Sequence, residues 1–346
     1  MVDRIGIAER RQLRVGLVGC GEHASENLIP SLAEIATVKV VAVTDPDPLA
    51  AAAAAAKLSG ARIESAIGPL LQRTDIEALV VAATPQTHAL VAREAFARDL
   101  HVFVEKPPTV SRQELETLAA QASERGLVTC VGHNLRHSAV AEEMHRFLES
   151  MDRRQGRAPF GRPVAMEMRY CASKPRGDRW GLGSPLRSFL LSHANHAIDF
   201  MVYQMGPITR VNAAIASLQE PGIALAAQFV FAGGAVGTLL ATSLAPHFTI
   251  GGSVVSDEGK VLLLESLHEL TLYGIDGDPK RWGRKWTTKS LLTGYDAAGY
   301  KRELEAFVDA VRYADPTRCQ PSFAEEIAVY EALDTIEQLI LDPASL

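Results

Sequence analysis

The chain has 346 residues, 47% of them hydrophobic and 22% charged, with a formal net charge of −6. That profile fits a soluble globular protein long enough for two domains. The acidic balance argues against nucleic acid or an anionic membrane as a partner, and no apolar run approaches the roughly 18 residues of a membrane span.

The opening stretch, "MVDRIGIAERRQLR", is charged throughout, so no secretory leader is expected. Cys20, Cys130, Cys171 and Cys319 are scattered and form no Cys-x-x-Cys pair. Neither a disulfide nor a zinc site is expected, and the cysteines read as small buried apolar residues of a cytoplasmic protein.

The first third alternates short apolar runs with helical stretches. "LRVGLVG" (13–19), "VKVVAVTD" (38–45), "ALVVAAT" (78–84), "HVFVEKP" (101–107) and "LVTCVG" (127–132) predict strands. Their near-continuous apolar character predicts cover on both faces, as in a parallel sheet. The alanine-rich 48–60 and the stretch from Ser111 to Gly126 predict helices, the latter opened by a Ser111–Glu114 capping box. This alternation predicts a doubly wound α/β domain over 11–132.

After Gly132 the pattern changes. A helix is predicted over 138–150, followed by a polar connection over 152–163. Strands are predicted over 164–172, 208–218, 223–231, 235–243, 248–256 and 260–265, with a hairpin turn at Asp257-Glu258-Gly259. One helix interrupts them near 195–205. Two close the chain, one presenting Leu304, Phe307, Val308 and Val311. The other starts at a Ser322–Glu325 capping box and buries Ile327, Tyr330, Ile336 and Leu339 or Ile340. The expectation for 133–346 is an α+β substrate-binding and oligomerisation domain with a large, mainly antiparallel open sheet.

The chemistry begins at Gly19-Cys20-Gly21-Glu22-His23-Ala24, which fits G-x-G-x-x-A directly after the first strand. Gly19 permits the tight turn, Gly21 lets the backbone approach a pyrophosphate, and Ala24 lets the helix pack on the strand. Asp45 follows 24 residues after Gly21, at the end of the second strand, where a carboxylate receives the ribose hydroxyls. The same carboxylate repels a 2′-phosphate, and Pro46, Asp47 and Pro48 supply no cation to welcome one, so NAD is expected over NADP.

Thr84-Pro85 makes a rigid turn at the C-terminal edge of the sheet, with His88 either facing the cofactor or belonging to a helix start. Glu105-Lys106 closes the fifth strand, and Pro107-Pro108 fixes the lysine's direction. Such a lysine can exchange a proton with a substrate hydroxyl, with Glu105 holding it. A plain surface ion pair is the alternative.

Together Gly19-x-Gly21-x-x-Ala24, Thr84-Pro85-x-x-His88, Glu105-Lys106-Pro107 and the "GHNLR" segment (132–136) resemble the glucose-fructose oxidoreductase/inositol dehydrogenase (Gfo/Idh/MocA) family. The resemblance implies a Rossmann domain followed by an open-sheet domain and a homodimer or homotetramer. It also implies Lys106 as catalytic lysine, with Glu105 and Pro107 shaping the cofactor site; Glu22, His23, Thr84, Pro85 and His88 are counted with the cofactor-binding residues. The family's D-x-G-x-H-x-x-D signature matches "SHANHAID" (192–199): His196 and Asp199 fit, while Ser192 stands where the family has aspartate and Ala194 where it has glycine. His196 is thereby the second catalytic residue. Asn134, Ser192 and Asp199 fall with the substrate-binding groups.

His193, His196 and Asp199 recur at helical spacing, but the family reading already employs His196 and no metal is expected. Arg169, Lys174, Arg176, Arg179 and Arg187 crowd the segment before this signature, with Trp180 among them and Asp178 the single acid. They suit an anionic or nucleotide-linked sugar substrate, or a solvated loop. The expected activity is hydride transfer between NAD and a secondary alcohol or ketone of a sugar or cyclitol. Ser192 leaves open a dinucleotide-binding sensor that has lost turnover.

Overall fold

The computed structural model describes residues 11–149, 160–216, 222–274, 286–289 and 294–342. It divides into two compact units. The first combines the described residues up to Asn134 with Gly294–Ile327, and the second takes Leu135–Thr293 with the chain from Ala328 onward.

The first unit is built on six parallel strands: β1 (Leu13–Val18), β2 (Val38–Thr44), β3 (Arg62–Ile63), β4 (Ala78–Val81), β5 (His101–Glu105) and β6 (Thr129–Gly132). Their order is β3-β2-β1-β4-β5-β6, the doubly wound dinucleotide-binding arrangement. β4 and β6 are buried at every residue, as continuous apolar runs require in a covered parallel sheet. The Ser111 hydroxyl caps the helix Arg112–Glu124 by accepting the Glu114 N–H, as its capping box predicts. The edge strand β3 is short and exposed, without the apolar signal that would have revealed it.

One boundary differs from the sequence reading, which placed all of 133–346 in the second domain. The helix Tyr300–Arg312 turns Leu304, Phe307 and Val308 into the same apolar cluster as Val15, Leu17 and Phe103. The Phe103 and Phe307 rings lie 5.9 Å apart. Burying each such side chain is worth roughly 1.5–3 kcal/mol, enough to claim the helix for this core.

The cysteine expectation is corrected at the same place. Cys130 of β6 and Cys319 form a disulfide across 189 residues of sequence. The Val131 N–H donates to the Pro321 carbonyl alongside it. Linear spacing could not reveal a pairing made by a returning segment. Cys20 is buried, and its thiol is pushed up to about 12 by burial and then by the Asp45 charge, so it is inert.

The second unit carries an eight-stranded sheet: β7 (Pro163–Cys171), β8 (Ile208–Ile215), β9 (Ala224–Phe231), β10 (Val236–Thr242), β11 (Thr249–Ser256), β12 (Val261–Ser266), β13 (Glu269–Tyr273) and β14 (Trp286–Lys289). The order is β14-β13-β12-β11-β7-β10-β9-β8. Every pair is antiparallel except β7 with β10. β9 alternates buried and less buried positions, leaving one face without the cover of the other. Asp257–Gly259 turns β11 into β12 as expected. The predicted connection lies outside the described residues over 152–159, as does the end of the predicted strand 208–218. Among the described residues no helix is long and apolar enough to cross a membrane.

Candidate active site

In the first unit the polypeptide leaves β1 through Gly19, at φ +89°, where a Cβ would run into the Ala82 carbonyl. No other residue fits that turn without moving β4's loop. Gly21 faces open space, with nothing near a Cβ placed there. Internal packing therefore does not require a glycine at 21, whereas the close approach of a ligand's phosphates to the backbone does. Glu22 is exposed beside it, and Ala24 is buried against the sheet.

Asp45 is fixed by two backbone donors. Its carboxylate accepts the Cys20 N–H at 2.6 Å and the Asp47 N–H at 2.8 Å, which anchors it beside the turn. A cavity of about 310 Å³ adjoins, lined by Cys20, Gly21, Glu22 and Asp47 and reached by Lys57 from the end of the alanine helix. Sequence spacing gave no sign of Lys57 there. These features fit a dinucleotide with a free ribose 2′-hydroxyl. NADH is expected to bind more tightly than NADPH in calorimetric titration, and Asp45→Ser with Pro46→Arg to narrow or reverse the gap. Equal affinities in the unaltered protein would contradict this.

At the β4 edge Thr84 caps the helix Pro85–Phe96 and Pro85 occupies its first position. His88 does not face outward. It is 1% exposed, its Nε2 accepts the Ala83 N–H at 2.8 Å, and Nδ1 lies 3.0 Å from the Pro107 carbonyl, to which it donates. Burial pushes it down to about 4, so the ring stays neutral. The expectation of a cofactor-facing His88 is corrected: it clamps the turn that follows Lys106. The reason is its place on the inner face of the helix.

Glu105 is corrected too. It is not an exposed partner of the lysine but 5% exposed, and the His23 Nε2 meets its Oε1 at 3.0 Å. Burial would raise this carboxyl, but His23 and then Lys106 hold it below its ordinary value. His23 in turn is raised, chiefly by the Glu105 charge. Its ring meets Tyr300 edge-on at 5.4 Å. Lys106 is half-buried. Asn134, expected among the substrate groups, is buried and donates its amide to the Ala298 carbonyl at 2.8 Å. The returning segment supplies that acceptor, which no local pattern could announce.

In the second unit Pro185–Phe189, a π-helical turn Leu190–Ala194 and Asn195–Met205 run on as one helical stretch. Ser192 donates to the Ser188 carbonyl at 2.5 Å. His193 lies 3.1 Å from the Tyr170 carbonyl and packs against that tyrosine's ring. His196 is 9% exposed, its ring 5.8 Å from Tyr170.

Asp199, expected to touch substrate, is wholly buried and takes a bidentate pair of bonds from Arg136 at 2.5–3.0 Å. It lies on the helix face turned inward, where an ionised carboxylate demands a cation. The Arg136 guanidinium also sits 4.9 Å over the Tyr203 ring. Sequence reading missed Arg136 because its partner lies 63 residues away.

Of the basic residues, Arg187 is taken by Asp334 and Glu337. Arg169 is exposed on β7. Arg176 donates to the Ser173 carbonyl, and Arg179 rests its guanidinium 5.0 Å over Trp180. Among the described residues neither Arg176 nor Arg179 meets a carboxylate.

Residues 13–133 match the model of the oxidoreductase family with an NAD-binding Rossmann fold, GFO_IDH_MocA. Residues 13–133 thus carry the NAD-binding Rossmann domain of that family. The chain is similar to inositol 2-dehydrogenase 2 of Paenarthrobacter aurescens, 29% identical over 86% of this chain and 87% of that one. The dTDP-3,4-didehydro-2,6-dideoxy-alpha-D-glucose 3-reductase of Saccharopolyspora spinosa is 29% identical over 62% of this chain, and the match spans 63% of that protein's length. Among solved structures, a dehydrogenase from Chromobacterium violaceum superposes with a TM-score of 0.88 at 29% identity, covering 96% of each chain. The matched segment is that of an NAD-binding domain, and the similar proteins that the chain matches over most of its length are dehydrogenases and reductases.

Proposed function

We propose that this oxidoreductase moves a hydride between NAD and a secondary alcohol or ketone on a sugar, cyclitol or sugar derivative carrying negative charge. The observation that carries the reading is the placement of Lys106 at the C-terminal edge of the parallel sheet that also carries the glycine turn and Asp45. Ligands bind along that edge in open α/β sheets. When bound, NAD supplies the hydride chemistry. Lys106 exchanges the hydroxyl proton, and His196 of the second unit is the other proton-handling group. The relatives' own substrates, inositol and a dTDP-linked deoxysugar, support a polyhydroxylated ring.

The negative charge is inferred from Arg176 and Arg179, exposed and without carboxylate partners among the described residues. Replacing either with Ala is expected to raise KM roughly 10- to 100-fold, the equivalent of a charge-assisted bond worth about 1.5–3 kcal/mol. The assay is net NAD reduction, or NADH oxidation, across neutral sugars, cyclitols, sugar phosphates and nucleotide sugars. A KM that does not move on the best substrate removes the anionic part of the proposal. Ser192, in place of the family's aspartate, favours a second reading as a dinucleotide-binding sensor. Absence of turnover across the whole set, with NADH still bound, would select it.

A further inference from the structure

Glu105 and Lys106 are adjacent in sequence, yet the buried carboxylate meets His23, a residue of the glycine turn's helix, rather than standing as the lysine's sole counter-ion. We propose that His23 is a positioning residue that offsets the charge of Glu105 and so lowers the pH at which Lys106 gives up its proton. This rests on the catalytic assignment of Lys106 made above.

The geometry carries the argument. Glu105 closes β5 at 5% exposure, with the Gly132 backbone against its carboxyl, where a Cβ on that glycine would come within 3.1 Å. A carboxylate shut in this way needs a cation. Two are at hand, His23 at 3.0 Å and the neighbouring Lys106, and the charge of each is felt at Glu105. With His23 absent, Lys106 alone would balance the carboxylate, and an ammonium beside an uncompensated buried carboxylate holds its proton more tightly.

The position of His23 is itself determined. Its ring is wedged edge-on to Tyr300, and the Asn27 amide reaches the His23 carbonyl at 3.2 Å. The charged groups that bear on it are Glu105 and Lys106 from the β5 edge and Glu26 from its own helix. His88, the other titratable group felt at Glu105, stays neutral. The raised His23 and lowered Glu105 agree in sign: the pair is doubly ionised from above the Glu105 pKa up to the His23 pKa. Above the latter, Glu105 bears on Lys106 unopposed. The turn that receives the cofactor's phosphates and the residue that moves the substrate's proton thus share one carboxylate.

The test reads the proton on Lys106 directly. Lysines are dimethylated with ¹³C-formaldehyde and followed by NMR against pH, the Lys106 resonance being assigned by its loss in Lys106→Arg. His23→Arg, permanently charged, is compared with His23→Gln, which keeps a donor but no charge. Lys106 is expected to titrate about one pH unit higher in His23→Gln than in His23→Arg, with the unaltered protein below His23→Gln; an unaltered protein that coincides with His23→Gln would show His23 uncharged where Lys106 titrates and would overturn the proposal. In Glu105→Gln it should titrate below His23→Gln. Thermal unfolding checks that each variant is folded. Coincident titrations in the two His23 variants would overturn the proposal. A Lys106→Ala protein that keeps full turnover would instead overturn the catalytic assignment, and the NMR shift would still decide the coupling.

Discussion

Lys106→Ala is expected to lower kcat roughly 10²- to 10⁴-fold, the usual contribution of a positioned acid–base group. The hydride belongs to the cofactor, but a carbonyl forms from an alcohol only as the hydroxyl proton leaves. In the proposed mechanism the half-buried Lys106, at the sheet's C-terminal edge, accepts it. NADH affinity should stay within a few-fold, because the Asp45 bonds to the Cys20 and Asp47 amides are untouched. His196→Ala should cost less than Lys106→Ala, since Ser192 offers hydrogen bonding but not the charge of the family's aspartate. Steady-state kinetics on a turned-over sugar, with NADH binding by fluorescence, provide the check. Near-full turnover in Lys106→Ala would refute the mechanism.

The second large effect falls on stability. Arg136→Ala should destabilise the second unit by about 3–5 kcal/mol, the cost of leaving a buried charge unpaired. Asp199 is wholly enclosed and Arg136 is 6% exposed, so water cannot take over from either partner. Arg136→Lys should fare little better, since an ammonium supplies neither the two-pronged grip on the carboxylate nor the planar contact with Tyr203. Asp199→Asn leaves the buried Arg136 without its counter-ion, but is the milder change because the amide oxygen still accepts from the guanidinium. Guanidinium denaturation should show the loss, with Tm falling on the order of 10 °C. The double variant Arg136→Met, Asp199→Leu should recover part of it, as apolar replacements of buried pairs do. A single variant as stable as the parent would show the pair to be dispensable.

Most of this architecture is legible in the sequence, for a physical reason. Strands such as Ala78–Val81 and Thr129–Gly132 are apolar at every position or close to it, and helices such as Arg112–Glu124 announce their own caps. The glycine turn was equally legible, because Gly19 answers a steric demand that sequence records. Side chains whose partners lie far along the chain were not. Asp199 read as a substrate ligand until Arg136 closed on it, and Asn134 until Ala298 accepted its amide. His88 belongs to a sequence motif, but its inward direction depends on which helix face meets β5. Cys130 and Cys319 looked unrelated because their encounter requires the fold of the whole first unit.

The return of Gly294–Ile327 to the first unit bears on how the chain is made. The polypeptide passes between its two units three times, after Asn134, Thr293 and Ile327. During synthesis the first six strands leave the ribosome long before Leu304, Phe307 and Val308, which complete their core. Until then the nascent Rossmann sheet carries an uncovered apolar face while residues 135–293 of the second unit are being translated. Domains generally fold as units in the order of synthesis, and exposed apolar surface is what chaperones bind. Here the amino-terminal unit is the one that waits. A gene fragment ending at the motif boundary near Gly132 therefore encodes a nucleotide-binding sequence without the means to close its own core. A stable excised module needs residues 294–327 spliced back onto it.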